Sequence, residues 1–259
     1  MKSSFFKFSV RDIAEIGVLC ALALILNNDI FEIPIGSTGG SISLAPIPLF
    51  LIAFRLGWFK GLVGAGLVYG FTAFIYSKYQ KNFSIFFLEY FLAYGSICIA
   101  GLFGKLVFKN YNKKKPINYA LSILFIIIPA IVFFVVRQFA STMSSMINWE
   151  TDFIGGFTYN ISYVLPTAIV AVVVLVLLLP TFKLMNKINP SAFLKDALED
   201  EEDEEDEIKV NIKSINDMNI MPLSLMLLFI LFLFVYFIFF VFFIFKSIFQ
   251  KCGRINFIH

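Results

Sequence analysis

Histidine is almost missing from this chain: the single copy is His259, the last residue. Chemistry that depends on imidazole, whether metal ligation or a Ser–His pair, has no residue to use. Cysteine is scarce as well. Cys20, Cys98 and Cys252 stand in or beside apolar stretches without paired spacing, which argues against a disulfide framework or a zinc site. Charged residues make up 15% of the chain, against 59% hydrophobic residues and 34 Phe. A soluble domain of 259 residues could not hide that much apolar surface. A nucleotide-binding loop is absent too. The stretch "GLFGKLVF" contains Gly-Lys, but no glycine lies five residues before Gly104, and Leu106 replaces Ser or Thr. No paired-carboxylate motif is present and no cysteine has a base nearby, so the chain is not expected to be an enzyme.

What is present is a polytopic all-α membrane protein. At about 20 apolar residues per span, helices are expected at 10–28, 44–55, 59–77, 84–106, 117–146 and 158–184, with a Phe-rich seventh at 221–247. The second is short and contains Pro46 and Pro48, so its start is expected to be irregular and buried in protein. Lys2, Lys7 and Arg11 precede an apolar run, but that run leads to Asn27, Asn28 and Asp29 without a small-residue cleavage site, so no cleavable leader is expected. Lys and Arg collect on one set of helix ends: Lys2, Lys7 and Arg11, then Arg55 and Lys60, then Lys105 to Lys115, then Lys183 and Lys187. The positive-inside rule puts those ends in the cytoplasm, the N terminus included. The stretch "LEDEEDEEDEIK" reads as a disordered cytoplasmic tether. Three domains follow: a six-helix unit at 1–187, an acidic linker at 188–220 and an appended helix and tail at 221–259. Lys246, Lys251 and Arg254 would then lie on the wrong side, which leaves the seventh helix without a settled direction.

Polar residues inside the apolar spans carry the functional signal. Glu89 stands in "FFLEYFLAYGSICIAGLFGK", where a charge near the bilayer centre costs about 3 kcal/mol. It either pairs near the surface with Lys78 or Lys81 or faces a cavity. In the fifth helix Arg137, Ser141, Ser144, Ser145 and Asn148 recur every three or four residues, so they form one stripe. Such a stripe packs on a neighbouring helix or lines a wet cavity. Trp149 and Glu150 follow it, and the sixth helix opens with "GGFTYNISYVLP", which puts Tyr159 and Tyr163 one turn apart beside Asn160 and Ser162. Tyr76 and Tyr79 end the third helix. Aromatic rings around one carboxylate suit a cationic or planar heteroaromatic ligand. In the first helix Gly17 and Ala21 stand four apart, a spacing that allows close helix approach inside the protein or to another subunit.

Residues 8–185 resemble the substrate-capture subunits (S-components) of energy-coupling-factor vitamin transporters, and most of all their thiamine branch. The most specific stretches are "GSISLAPIPLFLIAFRLGWFKGLVGAGLVYG" and "FLEYFLAYGSICIAGLFGK". The resemblance implies a six-helix S-component bundle with an outward-facing vitamin pocket. It also implies a transmembrane coupling subunit and two cytoplasmic ATPases as partners, with ATP used by those ATPases and no cofactor in this chain. Carried over residue by residue, Glu89 and Tyr90 match the Glu-Tyr pair that meets the thiazolium. Tyr79, Trp149 and Tyr159 match pocket aromatics. Gly17 and Ala21 match the face that docks on the coupling subunit. Two positions depart: Ser141 stands where the branch has histidine, and Val164 where it has asparagine. Asn148, Asn160 or Tyr163 are the candidates to replace them. The expected function is capture of thiamine from outside a bacterial cell. The alternatives are another vitamin or a precursor as ligand, or a ligand-free membrane scaffold. The acidic linker and the seventh helix have no counterpart in the family pattern.

Overall fold

The computed structural model describes residues 7–35, 40–78, 82–112, 116–188 and 191–194. Tyr79, the acidic run and the expected seventh helix lie outside them. The described chain is mostly helical, and four of its helices are long and apolar enough to cross a membrane. In chain order the helices are α1 (Val10–Leu26), α2 (Pro46–Leu56), α3 (Trp58–Tyr76), α4 (Phe83–Tyr111), α5 (Pro116–Trp149) and α6 (Phe153–Ile188). Each lies close to its expected place. Outward faces carry Val18, Leu102, Ile131, Ile169 and Leu177, the apolar surface that lipid requires.

An element absent from the sequence reading sits between α1 and α2. Strands β1 (Ile33–Ile35) and β2 (Gly40–Ile42) pair antiparallel, with Ile33 opposite Ile42. The hairpin stands over a short helix. Eleven residues of α2 rise about 16 Å, roughly half a hydrocarbon core. Every residue of α2 except Leu51 is buried. Both prolines fall in its first turn, where a missing N–H leaves no bond unmade. Its start is therefore regular from Pro46.

One end of the bundle is held by buried charge. Arg55 of α2 pairs with Glu15 of α1, donates to Asn186 Oδ1 of α6 at 2.5 Å and is 2% exposed. Lys60 of α3 donates to Asp12 Oδ2 at 2.8 Å. Asp12 also closes a capping box with Ser9 at the start of α1. Two residues counted from sequence as loop charges are thus buried pairs that fasten α1 to α2 and α3. The chain then turns at Gly57, whose φ of 90° is a left-handed conformation. There α4 touches backbone to backbone: a Cβ on Gly104 would lie 2.2 Å from the Phe54 carbonyl oxygen. "GLFGK" is a packing contact. Beyond Lys187 the chain folds back. Ser191 Oγ donates to the Arg55 carbonyl at 2.5 Å, Leu194 is fully buried and the Phe193 ring lies against Gly57. The helical unit therefore continues past the expected boundary at 187, through at least Leu194.

Candidate functional site

Two of the long helices, α3 and α4, are not uniformly α-helical. Residues Phe86–Leu92 of α4 form wider π-helical turns, and so do Leu62–Tyr69 of α3. Such turns cost regular hydrogen bonding and recur at functional sites. Glu89 and Tyr90 both lie in the α4 stretch.

Glu89 is half-buried and accepts a hydrogen bond from Ser141 Oγ of α5 at 2.8 Å. Of the two lysines expected as surface partners, Lys81 lies outside the described residues. Lys78 pairs instead with Asp29 at the exposed rim. One turn from Ser141, Arg137 is buried, with its guanidinium 4.8 Å from the Tyr94 ring centre and 5.7 Å from that of Phe133. Its charge acts on Glu89 and on Glu32, yet no ion pair among the described residues includes any of the three. Arg137 Nη1 and Tyr69 Oη are buried without a hydrogen-bond partner among the described residues.

Other polar residues of α5 serve packing. Thr142 and Ser145 hydroxyls bond back to the carbonyls one turn earlier, at 2.7 and 2.9 Å. Asn160 Nδ2 donates to Ser145 Oγ at 3.1 Å, and Tyr163 Oη donates to Asn160 Oδ1 at 2.5 Å. Asn148 Oδ1 accepts from Asn82 Nδ2 and Ser84 Oγ, each at 2.8 Å, which locks the start of α4 to the end of α5. Asn82 also caps α4 by accepting from Ile85 N–H. Asn148 and Asn160 are thus engaged with protein partners, and Val164 is fully buried.

The hairpin rests on the two tyrosines of α6. Gly40 N–H donates to Tyr159 Oη at 2.6 Å, and a Cβ there would lie 2.5 Å from Tyr163 Cδ1. The two rings meet edge to face at 5.7 Å. Ser43 N–H donates to Thr167 Oγ1 at 3.3 Å below them. Just before β1, Glu32 accepts from Ser41 Oγ at 2.6 Å across the hairpin. Burial pushes its carboxyl above the ordinary value, against the opposing pull of the Ser41 and Ser43 hydroxyls and the Arg137 charge.

The expected residues are therefore brought together unevenly. Glu89, Ser141 and Tyr163 share one polar cluster, and Tyr159 joins it through the hairpin. Tyr90 packs its ring 5.7 Å from Phe74. Trp149, the last residue of α5, is 47% exposed at the rim, before Glu150 turns left-handed with φ 52°. Sequence reasoning did not single out Glu32 as a site residue, and it did not expect the hairpin. The alternation in "IPIGSTGGSIS", short strand-like triplets around a glycine-rich centre, was the signal for it. Gly17 and Ala21 are both exposed, and a Cβ on Gly17 meets nothing within 4 Å, so this face packs on nothing among the described residues.

The profile of the thiamine transporter protein family (Thia_YuaJ) matches residues 13–187. The chain belongs to that family. Thiamine transporter ThiT of Bacillus subtilis (strain 168) is 32% identical over 183 residues, covering 64% of this chain and 89% of the relative. The solved structure of ThiT from Listeria monocytogenes matches with a TM-score of 0.56 at 27% identity, over 66% of this chain and 94% of that one. Membership, together with four membrane-length helices, makes this a multi-pass membrane protein of a transporter family. The acidic run and the last apolar stretch fall outside the family match.

Proposed function

We propose that the chain is the substrate-binding membrane subunit of an energy-coupling-factor importer, capturing thiamine from outside the cell. The observation that carries this reading is Glu89: a carboxylate in a membrane helix, on widened turns, held by one hydroxyl and by no ion pair among the described residues. Its desolvation cost needs a compensating charge, and a thiazolium cation supplies one. The family match and the ThiT relatives support thiamine as the ligand.

In this reading all six helices belong to the membrane unit, with the Arg55 end and the N terminus in the cytoplasm and the hairpin end outside. The Gly17–Ala21 face of α1 meets the transmembrane coupling subunit, and ATP is hydrolysed by two partner ATPases. Tyr90, Tyr159 and Trp149 flank the ligand, with Tyr79 as a further aromatic. Mass spectrometry of small molecules that copurify with the detergent-solubilised protein tests the ligand. Thiamine is the expected mass. A different vitamin or a precursor would move the reading to that ligand, and a protein that carries no small molecule and binds none would leave the scaffold alternative.

A further inference from the structure

We propose that Glu32, on the hairpin, is a second recognition carboxylate that accepts a hydrogen bond from the exocyclic amine of the ligand's aminopyrimidine ring, while Glu89 answers the thiazolium charge. The inference rests on the thiamine reading above and concerns the half of the ligand that Glu89 does not serve.

The first argument is charge. Glu89 arrives from α4, Glu32 from the hairpin and Arg137 from α5, and the guanidinium acts on both carboxylates without pairing directly to either. Two carboxylates against one guanidinium leave a single formal negative charge, which a monocation balances. The second argument is elimination. An aromatic amine buried in a pocket needs an acceptor. Asn148 Oδ1 already takes two donors, Asn160 Oδ1 takes Tyr163 and Val164 has no polar side-chain atom. Glu89 Oε2 takes Ser141, and in the thiamine reading its charge is committed to the thiazolium at the other end of the ligand. A carboxylate offers about four lone-pair sites, so the Ser41 hydrogen bond leaves Glu32 with acceptor capacity. The third argument is position. Glu32 directly precedes β1, and β2, which pairs with β1, sits on Tyr159 and Tyr163, so the carboxylate adjoins the wall that holds those rings.

The test compares thiamine with oxythiamine, in which an oxo group replaces the amine, by calorimetry on the full-length protein. The proteins are wild type, Glu32→Ala and Glu32→Gln. Glu32→Gln keeps an acceptor for Ser41, so its folding is not at risk. Glu32→Ala is expected to weaken thiamine about 10- to 100-fold, the range for a hydrogen bond to a charged group, and to change oxythiamine little. Glu32→Gln, whose amide can donate to the oxo group, is expected to bind oxythiamine more tightly than wild type does. Thiamine affinity unchanged in both variants overturns the inference. So do equal losses for the two ligands, which would make Glu32 a support of the hairpin only. If wild type fails to bind thiamine, the thiamine reading itself falls and this inference falls with it; if wild type binds and the variants are unaltered, only the role of Glu32 is lost.

Discussion

A carboxylate is worth as much as its surroundings allow, and Glu89 and Glu32 stand in different ones. Glu89 is carried by an apolar helix, where charge is costly without a partner. Replacing it with Gln keeps shape and an acceptor for Ser141 but removes the charge. Thiamine binding should weaken by about 2–4 kcal/mol, the cost of truncating a desolvated charge pair. A neutral analogue should lose little, and equal losses in calorimetry would mean that Glu89 acts on structure alone. Glu32 lies outside the helices. Burial and the Asp29 charge raise its carboxyl, opposed by Ser41, Ser43 and Arg137. A raised carboxyl favours the folded state while protonated, and that contribution is lost as pH rises through the folded value. Without ligand, Glu32→Gln should therefore melt above wild type at neutral pH, with the gap closing as the pH falls through the raised folded value and gone below the ordinary carboxylate value of about 4.3. A variant that melts below wild type at pH 7 would show that the carboxylate is stabilised where it stands. Glu89 is legible in sequence because an apolar run surrounds it. Glu32 is not, because an acid three residues from Asp29 in a segment between two helices reads as solvated until the hairpin forms beside it.

At the scale of elements, α1 divides its work between two faces. Asp12, Ile16, Cys20 and Ala23 face the bundle, and Asp12 and Glu15 pair with Lys60 and Arg55. The other face presents Gly17, Val18 and Ala21 outward. The small-residue spacing is readable from sequence, but its direction is not, since a pair four apart serves internal and external packing equally. The charges on the buried face decide the rotation of the helix. Because none of the described residues lies within 4 Å of a Cβ on Gly17, Gly17→Leu should leave melting and thiamine binding of the isolated protein near wild type. If this face docks on a coupling subunit, the same change should cut thiamine uptake by cells severely, since a large side chain blocks close helix approach. Uptake that stays normal would remove α1 from the docking surface. The span lengths were legible for the same reason as the lipid-facing surface: apolar runs of sufficient length have few other uses. The hairpin and the widened turns were not, because three-residue strands and one extra residue per turn leave almost no periodicity to read.

For the whole molecule, the question is where the folded unit ends. Charge composition alone puts the boundary at Lys187, where the helical pattern gives way to the acidic run. The fold sets it later, because Ser191 satisfies the Arg55 carbonyl, Leu194 is buried and Phe193 covers the turn at Gly57, with Lys105 Nζ 5.3 Å from its ring centre. This short return strap lies at the end where α1, α2 and α6 are joined through Arg55. Removing it would expose apolar surface that a Phe or Leu side chain covers at about 1.5–3 kcal/mol each, and would leave a buried carbonyl without its donor. A chain ending at Glu199 should therefore bind thiamine like the full-length protein and melt at the same temperature. One ending at Lys187 should melt several degrees lower, while its affinity, measured where it is still folded, should stay close to normal, because the strap and the Glu89 cluster share no side chain. Equal melting temperatures for the two truncated chains would show that the strap contributes nothing. Loss of binding in the chain that ends at Glu199 would assign part of the site to the acidic run or to the apolar stretch beyond it.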